Sequence, residues 1–219
     1  MYIVEGNIGA GKSTFLTLIQ QALPEYSVAL EPIHDWQDQG YGQSLLANFY
    51  NNPQRWAYTL ETLTLMCRIR EQLLEQQLYG SKVRIVERSV YSGHYCFAKN
   101  GYEHGFLTEA EWQMYQEWFN FLTLQLQRPQ GFIYLQIDPG VAFNRTKKRQ
   151  RPSEGSLSLD YLEQIHAKHE QFLVAKEGIN EHMRNVPVLV LNVNQEFATH
   201  EPTLSEHVEA LQQFIQQTV

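Results

Sequence analysis

Short apolar runs alternate along this chain with longer stretches in which apolar residues recur at helical spacing. Residues 2–4 (Tyr2, Ile3, Val4) form an apolar run that stops at a glycine turn, the pattern of a buried strand. Residues 14–23 read as a helix ending near Pro24, and 27–30 as a second strand closed by Glu31 and Pro32. Over 54–78, Trp56, Leu60, Leu63, Met66 and Leu73 recur at helical spacing; Pro53 suits the helix start and Gly80 its stop. Residues 83–86 form a third strand that delivers Glu87, Arg88 and Ser89. A long helix at 109–126, strands at 132–137 and 188–191, and a closing helix at 204–216 complete the pattern. This alternation predicts an α/β fold with a five-stranded, parallel sheet and helices on both faces. Neither a repeat nor a long linker interrupts it, so residues 1–219 read as a single domain. Function in such folds gathers at the carboxyl ends of the strands, where Gly6, Glu31, Glu87 and Asp138 fall.

The first strand runs into G-N-I-G-A-G-K-S-T at residues 6–14, which fits G-x-x-x-x-G-K-[ST] between a strand and a helix. Gly6, Gly9 and Gly11, with Asn7 and Ala10 between them, let the backbone wrap a phosphate with its N–H groups inward. The helix start at Thr14 adds partial positive charge. Lys12 would reach the outer phosphates, and the Ser13 hydroxyl would bind Mg2+. The motif signals nucleoside triphosphate binding and is silent on the acceptor.

Composition limits the alternatives. The formal net charge of −7 argues against a broad electrostatic grip on nucleic acid or an anionic membrane. No apolar run reaches the length of a bilayer span, and nothing ahead of the first strand reads as a targeting segment. Cys67 and Cys96 have neither metal-ligand nor redox spacing, which suits small buried side chains in a reducing compartment, the cytoplasm by default.

Two charged clusters at strand ends bear on the acceptor. Glu31 ends the second strand and Arg88 follows the third, facing the same crevice as the glycine loop. A hydroxyl acceptor benefits from a carboxylate that takes its proton and an arginine that fixes the geometry. Taken alone, the two residues read better as a structural ion pair; beside a phosphate loop in the same crevice they read as functional. A third cluster, Arg145, Lys147, Lys148, Arg149 and Arg151, runs into R-P-S-E-G at 151–155. It reads as a lid of arginines over the transferring phosphoryl group. Lys147 and Lys148 taken singly read as a solvated helix face.

At this point the residues resemble a family. The glycine loop, E-P-I-H-D-W at 31–36, E-R-S-V-Y-S at 87–92 and R-Q-R-P-S-E at 149–154 are similar to those of the deoxynucleoside kinases. The likeness continues through D-Y-L-E-Q-I-H-A-K-H-E at 160–170 to L-N-V-N-Q-E-F at 191–197. The resemblance implies a P-loop kinase fold with an arginine-rich lid at about 145–155. It also implies transfer of the ATP γ-phosphate to the 5′-hydroxyl of a deoxynucleoside. By that likeness Glu31 is the general base and Arg88 positions it, and Glu87 joins Ser13 at Mg2+. Tyr50 and Glu154 would bind the sugar 3′-hydroxyl, and Trp36 and Phe97 would enclose the base. Arg145, Arg149 and Arg151 match lid arginines, and 194–197, with Asn194, Glu196 and Phe197, would lie against the adenine of ATP.

Two positions depart from the family pattern. Many members carry glutamine where this chain has Glu61, and the deoxycytidine and deoxyguanosine kinases carry aspartate where it has Gly93. A glutamine amide matches a donor–acceptor base edge. An ionised Glu61 only accepts, and suits the two adjacent donors of guanine, N1–H and N2–H. Arg68, which normally partners the missing aspartate, would then sit near the purine O6/N7 with Glu61 as a partial counter-charge. This predicts a purine preference, deoxyguanosine first. The opposing reading is a protonated Glu61 that imitates glutamine, with deoxyadenosine or deoxycytidine as substrate.

Among rival functions, a thymidylate-kinase-like enzyme would need a basic residue where Glu31 stands. A GTPase switch expects D-x-x-G and N-K-x-D motifs, which the chain lacks. An ATPase acting on nucleic acid would want a basic surface. The long helices carry apolar residues on more than one face, including Trp112, Tyr115, Trp118 and Phe119, so they are doubly buried or form a subunit interface. The resemblance favours a homodimer.

Overall fold

A computed structural model describes residues 1–31, 44–78 and 83–218. Its centre is a five-stranded sheet of β1 (Tyr2–Gly6), β2 (Ser27–Ala29), β3 (Arg84–Glu87), β4 (Gly131–Gln136) and β5 (Val188–Asn192). The strand order is β2-β3-β1-β4-β5, and every pairing is parallel. The central strands are buried but for Gln136 at the end of β4, whereas β2 and β5 at the edges are partly exposed. That is why the central strands read as continuous apolar runs rather than alternating ones.

The pleat divides the core in two. Tyr2 and Val4 point to one face with Ile85, Ile133 and Leu135. There they meet α1 (Lys12–Ala22) through Phe15, Leu16 and Ile19, and the closing helix (Glu201–Thr218) through Leu211, Phe214 and Ile215. Ile3, Val86, Phe132 and Tyr134 point to the other face. They pack on the 26-residue helix Pro53–Leu78, on Glu109–Thr123, and on a helical run over 90–103. The register sets Val4 against Glu87 and Gly6 against Leu135, which brings the glycine loop and the end of β3 to one rim of the sheet.

The expected strands and the long helices appear within a few residues of the predicted bounds; the stop at Gly80 lies outside the described residues. The pattern did not show helix Leu45–Asn51 or the run over 90–103, whose centre, Gly93–Ala98, is π-helical. Its start is fixed by Ser89, whose hydroxyl accepts hydrogen bonds from the backbone N–H groups of Tyr91 and Ser92 at 3.1 and 3.2 Å. Its face is fixed by His94, stacked on Phe119 with ring centroids 3.9 Å apart and held neutral by burial, which lowers it to about 3. Trp112, Tyr115 and Phe119 are buried in this way, while Met114, Trp118 and Phe121 on the same helix are exposed. Among the described residues no helix is long and apolar enough to cross a membrane.

Candidate active site

The rim of the sheet carries the glycine loop, and its conformation is one that only glycine adopts without strain. Gly9 has φ +83°, and a Cβ there would fall 2.6 Å from the Ala142 carbonyl oxygen; Gly11 has φ +88°. Helix α1 starts directly after Gly11 with no side-chain cap and no acidic residue in its first turn, so its leading N–H groups and partial positive charge face the loop. The Lys12 ammonium donates to the Gly6 and Asn7 carbonyl oxygens at 3.1 and 2.9 Å. Burial, reinforced by Arg88, lowers Lys12 to about 7 against the pull of Glu87, Glu31 and Glu5. An incoming polyphosphate would restore its charge.

Beneath the loop, Asn7 acts structurally. Its amide donates to the Leu162 carbonyl oxygen at 2.8 Å, tying the loop to helix Leu159–His169, and its Oδ1 accepts from Ile8 N–H. Ala10 is fully buried. Phe197, expected against an adenine, is 2% exposed and packs edge-on to Phe15 and His207. Its ring would lie 3.1 Å from a Cβ at Gly11, so it backs the loop from inside the core. The neighbouring segment is held by Arg145, whose guanidinium donates to the Gln195 carbonyl oxygen at 3.1 Å, and by Asn194 Oδ1, which accepts from Asp138 N–H at 2.7 Å. Glu196 accepts from Ala198 N–H. Arg145, Asn194, Glu196 and Phe197 therefore adjoin the cleft without lining it.

The cleft itself encloses about 230 Å3 and runs unbroken from Gly9, Lys12, Ser13 and Thr14 to Tyr50, Glu61, Phe97 and Glu154. At its floor the Ser13 hydroxyl donates to Glu87 Oε1 at 2.8 Å, and the other Glu87 oxygen accepts the Glu31 N–H at 3.2 Å. Glu31 is buried between two arginines. Arg68 donates to Oε1 from Nε at 3.1 Å and from Nη2 at 2.6 Å, and Arg88 Nε lies 3.4 Å from Oε2. Burial works against the Glu31 charge, but Arg68 and Arg88 outweigh it and hold the carboxyl below its ordinary value.

Arg88 stands at a backbone kink with φ +62°, a region costly for a non-glycine residue, and its N–H donates to the Val4 carbonyl oxygen at 2.9 Å. The kink lays its guanidinium over the Phe97 ring at 4.7 Å, with Nη1 buried and lacking a hydrogen-bond partner among the described residues. Behind it, buried Glu5 accepts the Ser89 hydroxyl.

On the far wall, Arg149 Nη2 donates to both Glu154 oxygens at 2.7 and 2.6 Å, and Arg151 stands 3.6 Å from the same carboxylate. Burial and the Glu154 charge raise the Tyr50 phenol, which keeps its proton and remains a donor. Glu61 is 5% exposed, and its carboxylate makes no hydrogen bond among the described residues; burial raises it to about 7, opposed by Arg68 and Arg88. Arg68 pairs chiefly with Glu31, at 2.6 Å, with the Glu61 charge acting on it as a weaker counter-charge. Trp36 lies outside the described residues. Leu46, Phe49, Leu60, Thr64 and Tyr161 also line the cleft and were not anticipated. Phe49, Tyr50 and Tyr161 form an aromatic cluster in which Tyr161 meets the other two edge-on, which a prediction of helix Leu45–Asn51 would have suggested.

A polyphosphate cradle opening onto a carboxylate that can take a proton from a hydroxyl belongs to a phosphotransferase with an alcohol acceptor. Comparison with known proteins narrows the class. The chain belongs to the deoxynucleoside kinase family, whose profile matches residues 2–216. It is 41% identical over 218 residues to a mitochondrial deoxyguanosine kinase of Xenopus laevis, covering 89% of this chain and 81% of that one. It is 38% identical over 217 residues to deoxycytidine kinase 2 of Gallus gallus, covering 89% and 82%. With the deoxycytidine kinase of Homo sapiens it shares 36% identity over 228 residues, covering 94% and 88%. The enzyme is thus a nucleoside-phosphorylating kinase.

Proposed function

We propose that this chain, a single domain with residues 145–155 as its lid, transfers the γ-phosphoryl group of ATP to the 5′-hydroxyl of a purine deoxynucleoside, deoxyguanosine first. The observation that carries the reaction is the buried Glu31 carboxylate in one cleft with Lys12, Ser13 and Arg88. Glu31 accepts the hydroxyl proton as the oxygen bonds to phosphorus, and the bond from phosphorus to the bridging oxygen breaks to release ADP. Arg88 orients the 5′-oxygen, while Arg149 and Arg151 sit where a lid meets the phosphoryl group. Tyr50 and Glu154 receive the 3′-hydroxyl, and Phe97, with Trp36, encloses the base.

The donor set also fits Mg2+. Ser13 and Glu87 offer hard oxygens 2.8 Å apart, and the ion commonly takes only one or two carboxylates besides substrate phosphates. Bound with the triphosphate, it would offset charge on the phosphate oxygens.

Glu61 supports the base preference. A buried carboxylate with no protein hydrogen bond among the described residues can accept both guanine donors. A second reading has its own observation: a group raised to about 7 by burial is partly protonated at neutral pH and then matches adenine or cytosine as glutamine does. Assay of the four deoxynucleosides with ATP and Mg2+, for wild type and Glu61→Gln, decides between them. Deoxyguanosine should lead for the wild type and lose its lead in the variant; an unchanged ranking removes Glu61 from base reading.

Exposed Met114, Trp118 and Phe121 lie on one face of Glu109–Thr123, and Met66 and Leu74 are exposed on Pro53–Leu78, the helix packed against it. That face suits a homodimer. Cys67 and Cys96 are both buried, which fits a reducing compartment, here taken as the cytoplasm.

A further inference from the structure

Arg68 and Glu31 are 37 residues apart in sequence, yet they make the tightest contact with the cleft's candidate base. Two N–H groups of one planar guanidinium meet a single oxygen, Glu31 Oε1, at 3.1 and 2.6 Å. Such a fork fixes the rotation of the carboxylate as well as its position. Among the described residues it leaves Oε2 with Arg88 Nε, at 3.4 Å, beside it, so Oε2 is the oxygen more open to an acceptor hydroxyl. The third nitrogen of Arg68, Nη1, lies directly against Gly93. A Cβ built there would fall 2.7 Å from it, with the next atom of another residue, the Tyr115 hydroxyl, at 3.9 Å.

We propose that Arg68 is a positioning residue for Glu31, and that the missing side chain at Gly93 is what lets its guanidinium reach that carboxylate. The inference rests on Glu31 being the base that takes the 5′-hydroxyl proton. Gly93 lies in a helical segment with ordinary right-handed dihedrals, φ −52° and ψ −50°, so the backbone does not require glycine there. Alanine is intrinsically the better residue in a helix interior. The room beside Arg68 is therefore the visible reason for glycine. The charged groups facing Glu31 from each packed element are Arg68 and Glu61 on Pro53–Leu78, Arg88 and Glu87 at the end of β3, and Lys12 on α1. Of these, Arg68 alone holds the carboxylate through two short hydrogen bonds among the described residues.

The test compares Arg68→Met, Arg68→Lys, Gly93→Ala and the Arg68→Met/Gly93→Ala pair, with Glu31→Gln as reference, using deoxyguanosine, ATP and Mg2+. Misplacing a catalytic group by about 1 Å costs on the order of 100-fold, so Arg68→Met should lower kcat by roughly 10- to 100-fold. Nucleoside KM should move by less than about threefold. Arg68→Lys should recover part of the rate, because an ammonium reaches one carboxylate oxygen. Gly93→Ala should lower kcat while Tm stays level or rises, and should add little in the Arg68→Met background. A wild-type kcat with raised KM in Arg68→Met would make Arg68 a substrate contact and overturn the proposal. So would fully additive losses in the pair. If Arg68→Met fails to fold, a wild-type kcat in Gly93→Ala overturns it alone. Should Glu31→Gln keep its kcat, the base assignment falls too; should Glu31→Gln collapse while Arg68→Met does not, only the positioning role falls.

Discussion

Replacing Glu61 with glutamine should stabilise the ligand-free enzyme at neutral and alkaline pH, and progressively less toward acid. The cause is burial: the carboxyl is 5% exposed and raised from 4.5 to about 7 despite Arg68 and Arg88. A carboxyl raised on folding binds its proton more tightly in the folded chain than in the unfolded one. Below pH 4.5 both states are protonated and the group has no pH-dependent effect. Between 4.5 and about 7 the unfolded chain ionises first, so stability falls as pH rises, by up to about 1.4 kcal/mol per pH unit. Above about 7 both states are ionised and the loss is complete. The whole displacement is worth roughly 3 kcal/mol, a ceiling that solvent entering the cleft would reduce. Urea unfolding of both proteins from pH 5 to pH 8, at one protomer concentration, isolates the effect, because every other group cancels in the difference. The advantage of Glu61→Gln should grow by roughly 2 to 3 kcal/mol across that range. A pH-independent difference would refute the argument that Glu61 is strained by burial. The same titration bears on selectivity: the ratio of kcat/KM for deoxyguanosine over deoxyadenosine should rise with pH through about 7 in the wild type and stay flat in the variant.

Two further outcomes follow from the walls of the molecule. Glu154→Gln removes a carboxylate that Arg149 holds at 2.6 Å, and should raise KM for a deoxynucleoside by about 10-fold while hardly changing it for the 2′,3′-dideoxy analogue; equal changes for both would dissociate Glu154 from the 3′-hydroxyl. Trp118 and Phe121 are 45% and 60% exposed on one helix face, so Trp118→Asp/Phe121→Asp should convert a dimer into a monomer in sedimentation velocity. A wild type that already sediments as a monomer at micromolar concentration would remove the interface.

How much of this was legible in the sequence depends on whether one contiguous segment carries the physics. The glycine loop was readable because phosphate geometry demands Gly6 and Gly11 at fixed offsets between a strand and a helix, all within residues 6–14. The central strands were readable because two covered faces favour apolar residues, here residues 2–4, Ile85 with Val86, and residues 132–135. The helical run over 90–103 was not. It holds two glycines and several aromatic residues, weak helix formers, and is set by the Ser89 cap and by packing against Trp112, Tyr115 and Phe119. The burial of Phe197, 2% exposed, was not legible for a related reason. A motif places a residue beside the donor site, but burial decides whether its ring meets a ligand or supports the loop.

Charge pairing is where sequence reading stops. Glu31, Glu61, Glu87, Lys12, Arg68 and Arg88 converge on one cleft from four elements, and several pairings among them satisfy the sequence equally well. Long-range Coulomb attraction does not discriminate between them, because each acid lies within reach of more than one base. Contact geometry does: Arg68 makes its short bonds to Glu31 with its third nitrogen resting on Gly93, where a Cβ 2.7 Å away would require the guanidinium to shift. The departure at position 93, which from sequence alone pointed to base selection, is thus linked in three dimensions, through Arg68, to the carboxylate proposed as the base.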